Sequence, residues 1–254
     1  MNYQDQVVMI TGASGGLGQE AAKQFAQAGA RLALSDINES LLSEVAAQLR
    51  DSGAEVFHQV CDVTDESAVQ QFVAGTVEAF GRIDVAVNNA GLDPEATPLI
   101  DMSLEAFERM MSINVRGVFL GMKHQIPVML KQQGGRILNI SSIAGVTGHA
   151  YGSVYAGTKH AVIGMTKSAA VEYGRQNIRV NAVCPGVTET NMFDRAMDAL
   201  PDRERAIKGV GASTCLKRHG QPEEVVRGML FACDPENTYM TGHALMMDGG
   251  FSAL

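Results

Sequence analysis

"VVMITGASGGLG" (Val7–Gly18) joins an apolar run to a glycine-rich turn, and Leu17, Ala21, Ala22, Phe25 and Ala28 then recur at helical spacing. This reads as strand, turn and helix. An uninterrupted apolar run is what a strand buried on both faces requires. Glycines in such a turn allow a tight bend, a close backbone approach to a ligand and close packing of the helix. The helix start offers unpaired amides and partial positive charge, which suit a phosphate. The spacing of Gly12, Gly16 and Gly18 is G-x-x-x-G-x-G, not G-x-G-x-x-G. Gly12, Ser14, Gly15, Gly16, Leu17 and Gly18 are therefore the candidate phosphate-facing residues. An ordinary tight βα connection would also account for a glycine turn by itself.

The same alternation repeats outward from this unit. Strand-like runs occur at 7–10, 31–35, 55–60, 83–87, 136–140, 178–184 and 244–248. Helical patterns separate them. One is opened by Asn38 as a cap, with Leu41, Leu42, Val45 and Leu49 facing inward. One follows Thr64, carries Val69, Phe72, Val73, Val77 and Phe80, and stops at Gly81. Others cover about 103–131 and 153–174, and one starts at Pro222, a favoured first-turn position. Seven strands alternating with helices predict an α/β fold: a single domain over 1–254, with a doubly wound, Rossmann-type parallel seven-stranded sheet and helices on both faces. Residues 186–220 show no strand period and are too long for a plain connection, so they are a candidate substrate lid.

Bulk composition excludes several function classes. The formal net charge is −8, which disfavours nucleic acid and anionic membranes as partners. No apolar run approaches the roughly 18 residues of a membrane span. The start, "MNYQDQVVMI", shows no basic leader or cleavage site, so a cytoplasmic protein is expected. Cys61, Cys184, Cys215 and Cys233 are widely spaced and read as small core side chains in a reducing compartment. The six histidines are scattered, and no metal site is expected.

Asp36 ends the second strand, eighteen residues after Gly18. An acid there accepts hydrogen bonds from the adenosine-ribose hydroxyls and repels a 2′-phosphate. The turn contains no Lys or Arg, so the expected cofactor is NAD, not NADP.

Four more motifs fall near the predicted strand ends: "CDVT" (61–64), "NNAG" (88–91), "ISS" (140–142) and "YAGTK" (155–159). With "TGASGGLG", and with "CPGVTET" (184–190) and "DGG" (248–250) further on, the whole chain resembles the short-chain dehydrogenase/reductase family. The resemblance implies a catalytic group of Asn114, Ser142, Tyr155 and Lys159. It implies that Asp62 and Val63 flank the adenine, that Asn89, Ala90 and Gly91 line the cofactor, and that Pro185, Gly186, Thr188 and Thr190 hold the nicotinamide side. Tyr155 and Lys159 are placed in the cofactor site as well. A homotetramer is also implied, with the helices near 103–131 and 153–174 and the last strand at its interfaces. The pattern departs in Thr158, where many members carry serine.

The chemistry is consistent with that assignment. Taking a proton from an alcohol needs a base, and a phenol with a pKa of about 10 is a weak one at neutral pH. A nearby cation favours the phenolate, and Lys159 lies one helical turn beyond Tyr155. A drop of about 3 units corresponds to roughly 4 kcal/mol, more than one cation readily supplies. Lys159 is also expected to grip the nicotinamide ribose, Ser142 to hold the substrate oxygen, and Asn114 to seat a relay water. Ser141 is the rival of Ser142, which the thirteen-residue spacing to Tyr155 favours.

His149, Tyr151, the turn Leu92–Thr97 and the lid, with Met192, Phe193, Met197, Leu200 and Ile207, are the expected substrate walls. Asp194, Arg195, Asp198 and Arg203 are expected on the lid's outer face. His219 reads as part of a surface turn. The leading expectation is an NAD-dependent dehydrogenase or reductase of a medium-sized secondary alcohol or ketone, cyclic in particular. The alternatives are a 3-ketoacyl carrier-protein or thioester reductase, disfavoured by only weakly basic flanks at 131–135 and 173–177, and a non-catalytic NAD-binding sensor.

Overall fold

Five successive buried residues form β1 (Val7–Thr11), and the side chains alternate between two cores. Val8 and Ile10 join one apolar cluster, while Met9 joins the other. This is the two-residue period of a strand covered on both faces. The computed structural model describes residues 1–93, 96–198 and 202–254, with 191, 192, 195, 196, 206 and 210 described by backbone alone.

The elements run β1, α1 (Gly16–Gln27), β2 (Arg31–Asp36), α2 (Glu39–Asp51), β3 (Val56–Val60), α3 (Glu66–Phe80), β4 (Val85–Asn88), α4 (Leu104–Met111), α5 (Gly117–Lys131), β5 (Gly135–Ile140), α6 (Ser153–Tyr173), β6 (Ile178–Pro185), α7 (Asn191–Asp198), α8 (Arg203–Ala212), α9 (Pro222–Cys233) and β7 (Ala244–Met247). The strands form one parallel sheet in the order β3-β2-β1-β4-β5-β6-β7. Helices α1, α2 and α9 bury Phe25, Leu42, Val45, Val226 and Met229 on one face. Helices α3, α5 and α6 bury Phe72, Val118, Ile126, Met129 and Val162 on the other.

The strand order reverses between β1 and β4. Connections leave these two strands in opposite directions, which opens a crevice at their C-terminal ends. The glycine turn follows β1 and "NNAG" follows β4, so both motifs border the crevice. A buried polar ladder supports its floor. Asn88 Nδ2 donates to Asn139 Oδ1 (2.9 Å), Asn139 Nδ2 to Thr166 Oγ1 (2.9 Å), and Gln125 Nε2 to Asn88 Oδ1 (2.8 Å). Each member of the ladder satisfies a neighbour that would otherwise be buried unpaired.

Local signals account for the helix ends. Asn38 Oδ1 accepts the Leu41 N–H at 3.1 Å, Gly81 adopts φ 79° at the end of α3, and Pro222 opens α9. Three expectations change. Leu41 is 46% exposed, because the inward face of α2 is set by Leu42, Val45 and Leu49, and Leu41 lies about 100° off it. Cys215 is exposed, unlike buried Cys61, Cys184 and Cys233, and its thiol donates to Gly250 O. The helical region 103–131 is not one α-helix, since Ser112–Arg116 between α4 and α5 is a π-helical turn. Among the described residues, no helix is long and apolar enough to cross a membrane. None of their His, Cys, Asp and Glu side chains cluster in threes that could hold a metal ion.

Candidate active site

The glycine turn is built by contacts that a side chain would block. Gly12 has φ +65° and Gly16 φ +51°, the left-handed region that favours glycine. A methyl group at Gly12 would lie 2.8 Å from Ala90 Cα. One at Gly18 would fall inside the Gly12 carbonyl oxygen and 2.6 Å from Asn89 Nδ2. Gly15 has open space in front of it. Gly18 is thus the packing glycine, and Gly15 borders the free side of the cleft.

Asn89 ties the two motifs together. Its Nδ2 donates to Thr11 O (3.1 Å) and Gly12 O (2.9 Å), while the Asn89 and Ala90 amides donate to Thr11 Oγ1. Asp36 Oδ2 accepts the Ser14 N–H at 3.1 Å, and Oδ1 accepts the Asn38 N–H at 3.1 Å. This fixes the carboxylate beside the turn, and each oxygen keeps a further lone pair. Thr190 closes the other side. Its side chain would lie 3.7 Å from a methyl at Gly16.

Helix α6 and the end of β5 bring the polar group together. Tyr155 and Lys159 are both buried, with Lys159 Nζ 5.5 Å from the phenol ring centroid. Nζ donates to Ile140 O at 3.0 Å, at the last residue of β5. Ser142 lies near enough to the Tyr155 phenol to favour its ionised form, and its Oγ accepts the Ala144 N–H at 3.1 Å. Ser141 points the other way, is 2% exposed, and donates to Lys159 O at 2.9 Å. The two serines divide the work: Ser141 anchors α6, and Ser142 meets the phenol.

Asn114 sits in the π turn and is 1% exposed. Its Oδ1 accepts the Leu92 N–H at 2.7 Å, and its Nδ2 donates to Thr158 Oγ1 at 3.3 Å. Gly91 passes between the two side chains. A methyl there would be 3.3 Å from Asn114 Oδ1 and 3.7 Å from Lys159 Nζ.

Burial dominates the electrostatics. It pushes the Tyr155 phenol up to about 12, opposed by the Ser142 hydrogen bond and reinforced by the charge of Asp93. Burial also pushes the Lys159 amine down to about 8, with Cys184 and then Asp93 opposing. A lowered phenol pKa needs more than Lys159, as the size of the drop requires, and in the protein without a dinucleotide burial raises it. The Lys159 Nζ is directed at Ile140 O.

A family profile described as enoyl-(acyl carrier protein) reductase matches residues 12–252. The chain is a member of the short-chain dehydrogenase/reductase family. It is an oxidoreductase, and its relatives carry varied names. An uncharacterized oxidoreductase of Thermotoga maritima is 41% identical over the full length of both chains. Levodione reductase of Leifsonia aquatica is 38% identical, covering 99% of this chain and 96% of its own. A 3-oxoacyl-[acyl-carrier-protein] reductase of Thermotoga maritima is also 38% identical, covering 98% and 99%. Among solved structures, levodione reductase superposes with a TM-score of 0.96 at 36% identity, covering 99% of each chain. NAD+-bound xylitol dehydrogenase gives 0.94 at 33%, covering 98% and 100%. An actinorhodin polyketide ketoreductase variant with NADPH gives 0.94 at 32%, covering 100% of both.

Several family-implied residues are held by neighbours. Asp62 Oδ1 accepts from the Thr64 amide and hydroxyl, both at 2.8 Å. Val63 packs on Gly117, where a methyl would come within 2.8 Å of it. The Gly186 N–H, just after Pro185, donates to Met247 O at 2.9 Å, and Thr188 Oγ1 to Gly186 O at 3.0 Å.

On the expected substrate side, the rings of His149 and Tyr155 are 6.3 Å apart. Tyr151 is 63% exposed and has φ 60°. Its carbonyl accepts the Thr97 N–H at 2.9 Å, so the two expected wall segments meet. Residues 186–220 hold α7 and α8, with Phe193 and Met197 buried. Arg203 bridges Asp194 (2.7 Å) and Asp198 (2.8 Å) on the exposed side. Leu200 and the side chains of Met192 and Arg195 lie outside the described residues, as do residues 94–95 of the turn. Asp93 was not singled out in the sequence. Its charge bears on both Tyr155 and Lys159, and only the fold brings it near them.

Proposed function

We propose that the protein transfers a hydride between NAD(H) and a medium-sized secondary alcohol or ketone, with Tyr155 as the acid/base. The observation that carries this is the buried Tyr155–Lys159 pair, with half-buried Ser142 near it, beside the crevice at the β1/β4 reversal. A dinucleotide fits the residues present: left-handed Gly12 and Gly16, open space at Gly15, and the Gly16 and Leu17 amides at the start of α1, which have no acceptor within the helix. Gly12, Ser14, Gly15, Gly16 and Leu17 would face the pyrophosphate, and Asp36 the adenosine ribose. Asp62 and Val63 would lie by the adenine, and Asn89, Ala90 and Gly91 along the cofactor. Pro185, Gly186, Thr188 and Thr190 would lie on the nicotinamide side. When bound, oxidised nicotinamide supplies the hydride acceptor and a positive charge.

In oxidation, the Ser142 hydroxyl would orient the substrate oxygen toward the phenol, and Tyr155 would take its proton. Lys159 would hold the nicotinamide ribose and favour the phenolate. Asn114, anchored by Leu92 and Thr158, would position a water leading from Lys159 to solvent. Reduction is the reverse, with the phenol donating its proton to the ketone oxygen. The 186–220 segment would act as a lid within the single domain. We further propose a cytoplasmic homotetramer. NADH formation across a panel of secondary alcohols tests the activity. The carrier-protein alternative is favoured by the 3-oxoacyl relative, and NADPH consumption with a ketoacyl thioester separates it.

Two expected results follow from the site. Asp36 stands where a 2′-phosphate would be repelled, and residues 37–42 contain no Lys or Arg. NAD is therefore expected to exceed NADP in kcat/KM by about 100-fold, and Asp36→Ala to narrow the ratio. A wild-type preference for NADP contradicts this.

The pH dependence has a definite sign. Oxidation needs the phenolate, and burial raises the phenol pKa, so the active form is scarce at neutral pH and increases with pH. For alcohol oxidation, kcat/KM is expected to rise by up to about tenfold per unit from about pH 6. It should bend near pH 8, where Lys159 loses its proton. Ketone reduction needs the protonated phenol and should not rise. Oxidation that is flat across this range contradicts the assignment.

A further inference from the structure

The two ends of the 186–220 segment meet each other. Thr188 and Gly220 form an isolated parallel bridge. The Glu189 N–H donates to Gly220 O and the Gly220 N–H to Val187 O, each at 3.0 Å. Side chains reinforce the join. His219 Nε2 contacts Glu189 Oε1, and Gln221 Nε2 donates to Glu189 Oε2 at 2.7 Å. The His219 ring also packs on Phe193 of α7, with centroids 5.2 Å apart. It is 16% exposed, so most of the ring is covered within the surface turn that carries it.

The geometry fixes the roles of these groups. His219 Nδ1 is buried with no hydrogen-bond partner. A carboxylate oxygen can only accept, so Nε2 carries the proton and donates it toward Glu189. Hydrogen bonds from Gln221 first and His219 second hold the Glu189 carboxyl below its usual range, with a further contribution from the charge of Arg203. Arg218 does not compete, since it is paired with Glu224 through two bonds of 2.7 and 2.6 Å.

Glu189 lies between Thr188 and Thr190. Thr188 is 8% exposed, and Thr190 is the side chain that approaches Gly16. Any shift of Glu189 along the backbone carries both threonines with it. We infer that Glu189, His219 and Gln221 form a clasp that positions Thr190 against the glycine turn, with Thr188 held at the base of the segment, for dinucleotide binding. The inference rests on the dinucleotide reading above. The three side chains act through the threonines and are positioning residues, not catalytic ones.

The test compares wild type, His219→Ala and His219→Gln. Glutamine can place an amide N–H where Nε2 stands, without the ring. NADH affinity is read by isothermal titration, and hydrogen exchange at 187–190 and 218–221 is read in the ligand-free protein. His219→Ala is expected to weaken NADH binding about tenfold, the loss of one hydrogen bond to a charged group, and to speed exchange at both ends of the segment. His219→Gln is expected to recover most of both effects. Its recovery also separates the clasp from loss of fold in the alanine variant. Unchanged NADH affinity in His219→Ala overturns the proposal, as does a His219→Gln as weak as His219→Ala. Wild-type protein that fails to bind NADH defeats the dinucleotide reading itself. Tight wild-type binding with equal exchange in all three proteins defeats the clasp alone.

Discussion

Tyr155→Phe is expected to lower kcat by at least about 1000-fold, within the range a lost acid/base group produces, while NADH still binds. The phenol oxygen is the proton-bearing atom near Ser142, and phenylalanine removes that oxygen with little change in the packed ring. Tyr155 is 9% exposed and packs with Met110, Ala144, Val154 and Ala156, so the variant keeps its apolar contacts and should fold. Turnover by stopped assay and NADH affinity by titration check the two halves. Turnover within tenfold of wild type contradicts the role given to Tyr155. Loss of NADH binding together with turnover would show a structural role instead.

Gly18→Ala is expected to remove dinucleotide binding and to destabilise the fold by about 3 kcal/mol, at the upper end of overpacking effects. The added methyl meets the Gly12 carbonyl oxygen and Asn89 Nδ2. Neither yields easily. Gly12 is held in a left-handed conformation, and Asn89 is committed to Thr11 O and Gly12 O. The turn can accept the methyl only by separating from "NNAG", which breaks the crevice at its base. Gly15→Ala is the control. Space is open at Gly15, and its φ of −156° is extended backbone that alanine tolerates. It should therefore fold as wild type. Chemical denaturation and NADH titration of the pair check both expectations, and a Gly18→Ala protein as stable as Gly15→Ala contradicts them.

The strands were legible because burial on both faces leaves an uninterrupted apolar run, as in Val7–Ile10. The glycine turn was legible because its requirement is conformational: Gly12 and Gly16 take φ values that other residues rarely adopt. Periodicity was less informative where a deviation spans one turn. The π-helical turn at Ser112–Arg116 adds too little to the spacing of 103–131 to be visible, yet it carries Asn114 to Leu92 and Thr158. Leu41 and Leu42 both satisfied an apolar helix pattern, and only packing separates them. The choice between Ser141 and Ser142 rested on spacing. The reason they differ, one facing the Lys159 carbonyl and the other the phenol, is tertiary. Charge was the least legible property. A lysine one turn from a tyrosine suggested a lowered phenol pKa, but the depth of the site reverses the sign for the protein alone. The Glu189–His219 contact joins residues thirty apart in sequence, and no local pattern announces it.

The central claim is hydride transfer to NAD with proton removal by Tyr155. The most direct measurement uses secondary alcohols deuterated at the carbinol carbon, incubated with NAD and either wild type or Tyr155→Phe, with the recovered dinucleotide analysed by mass. The predicted result is deuterium in the reduced dinucleotide formed by wild type and almost none with Tyr155→Phe. Undeuterated NADH from wild type, or equal deuterium transfer by the two proteins, would contradict the account.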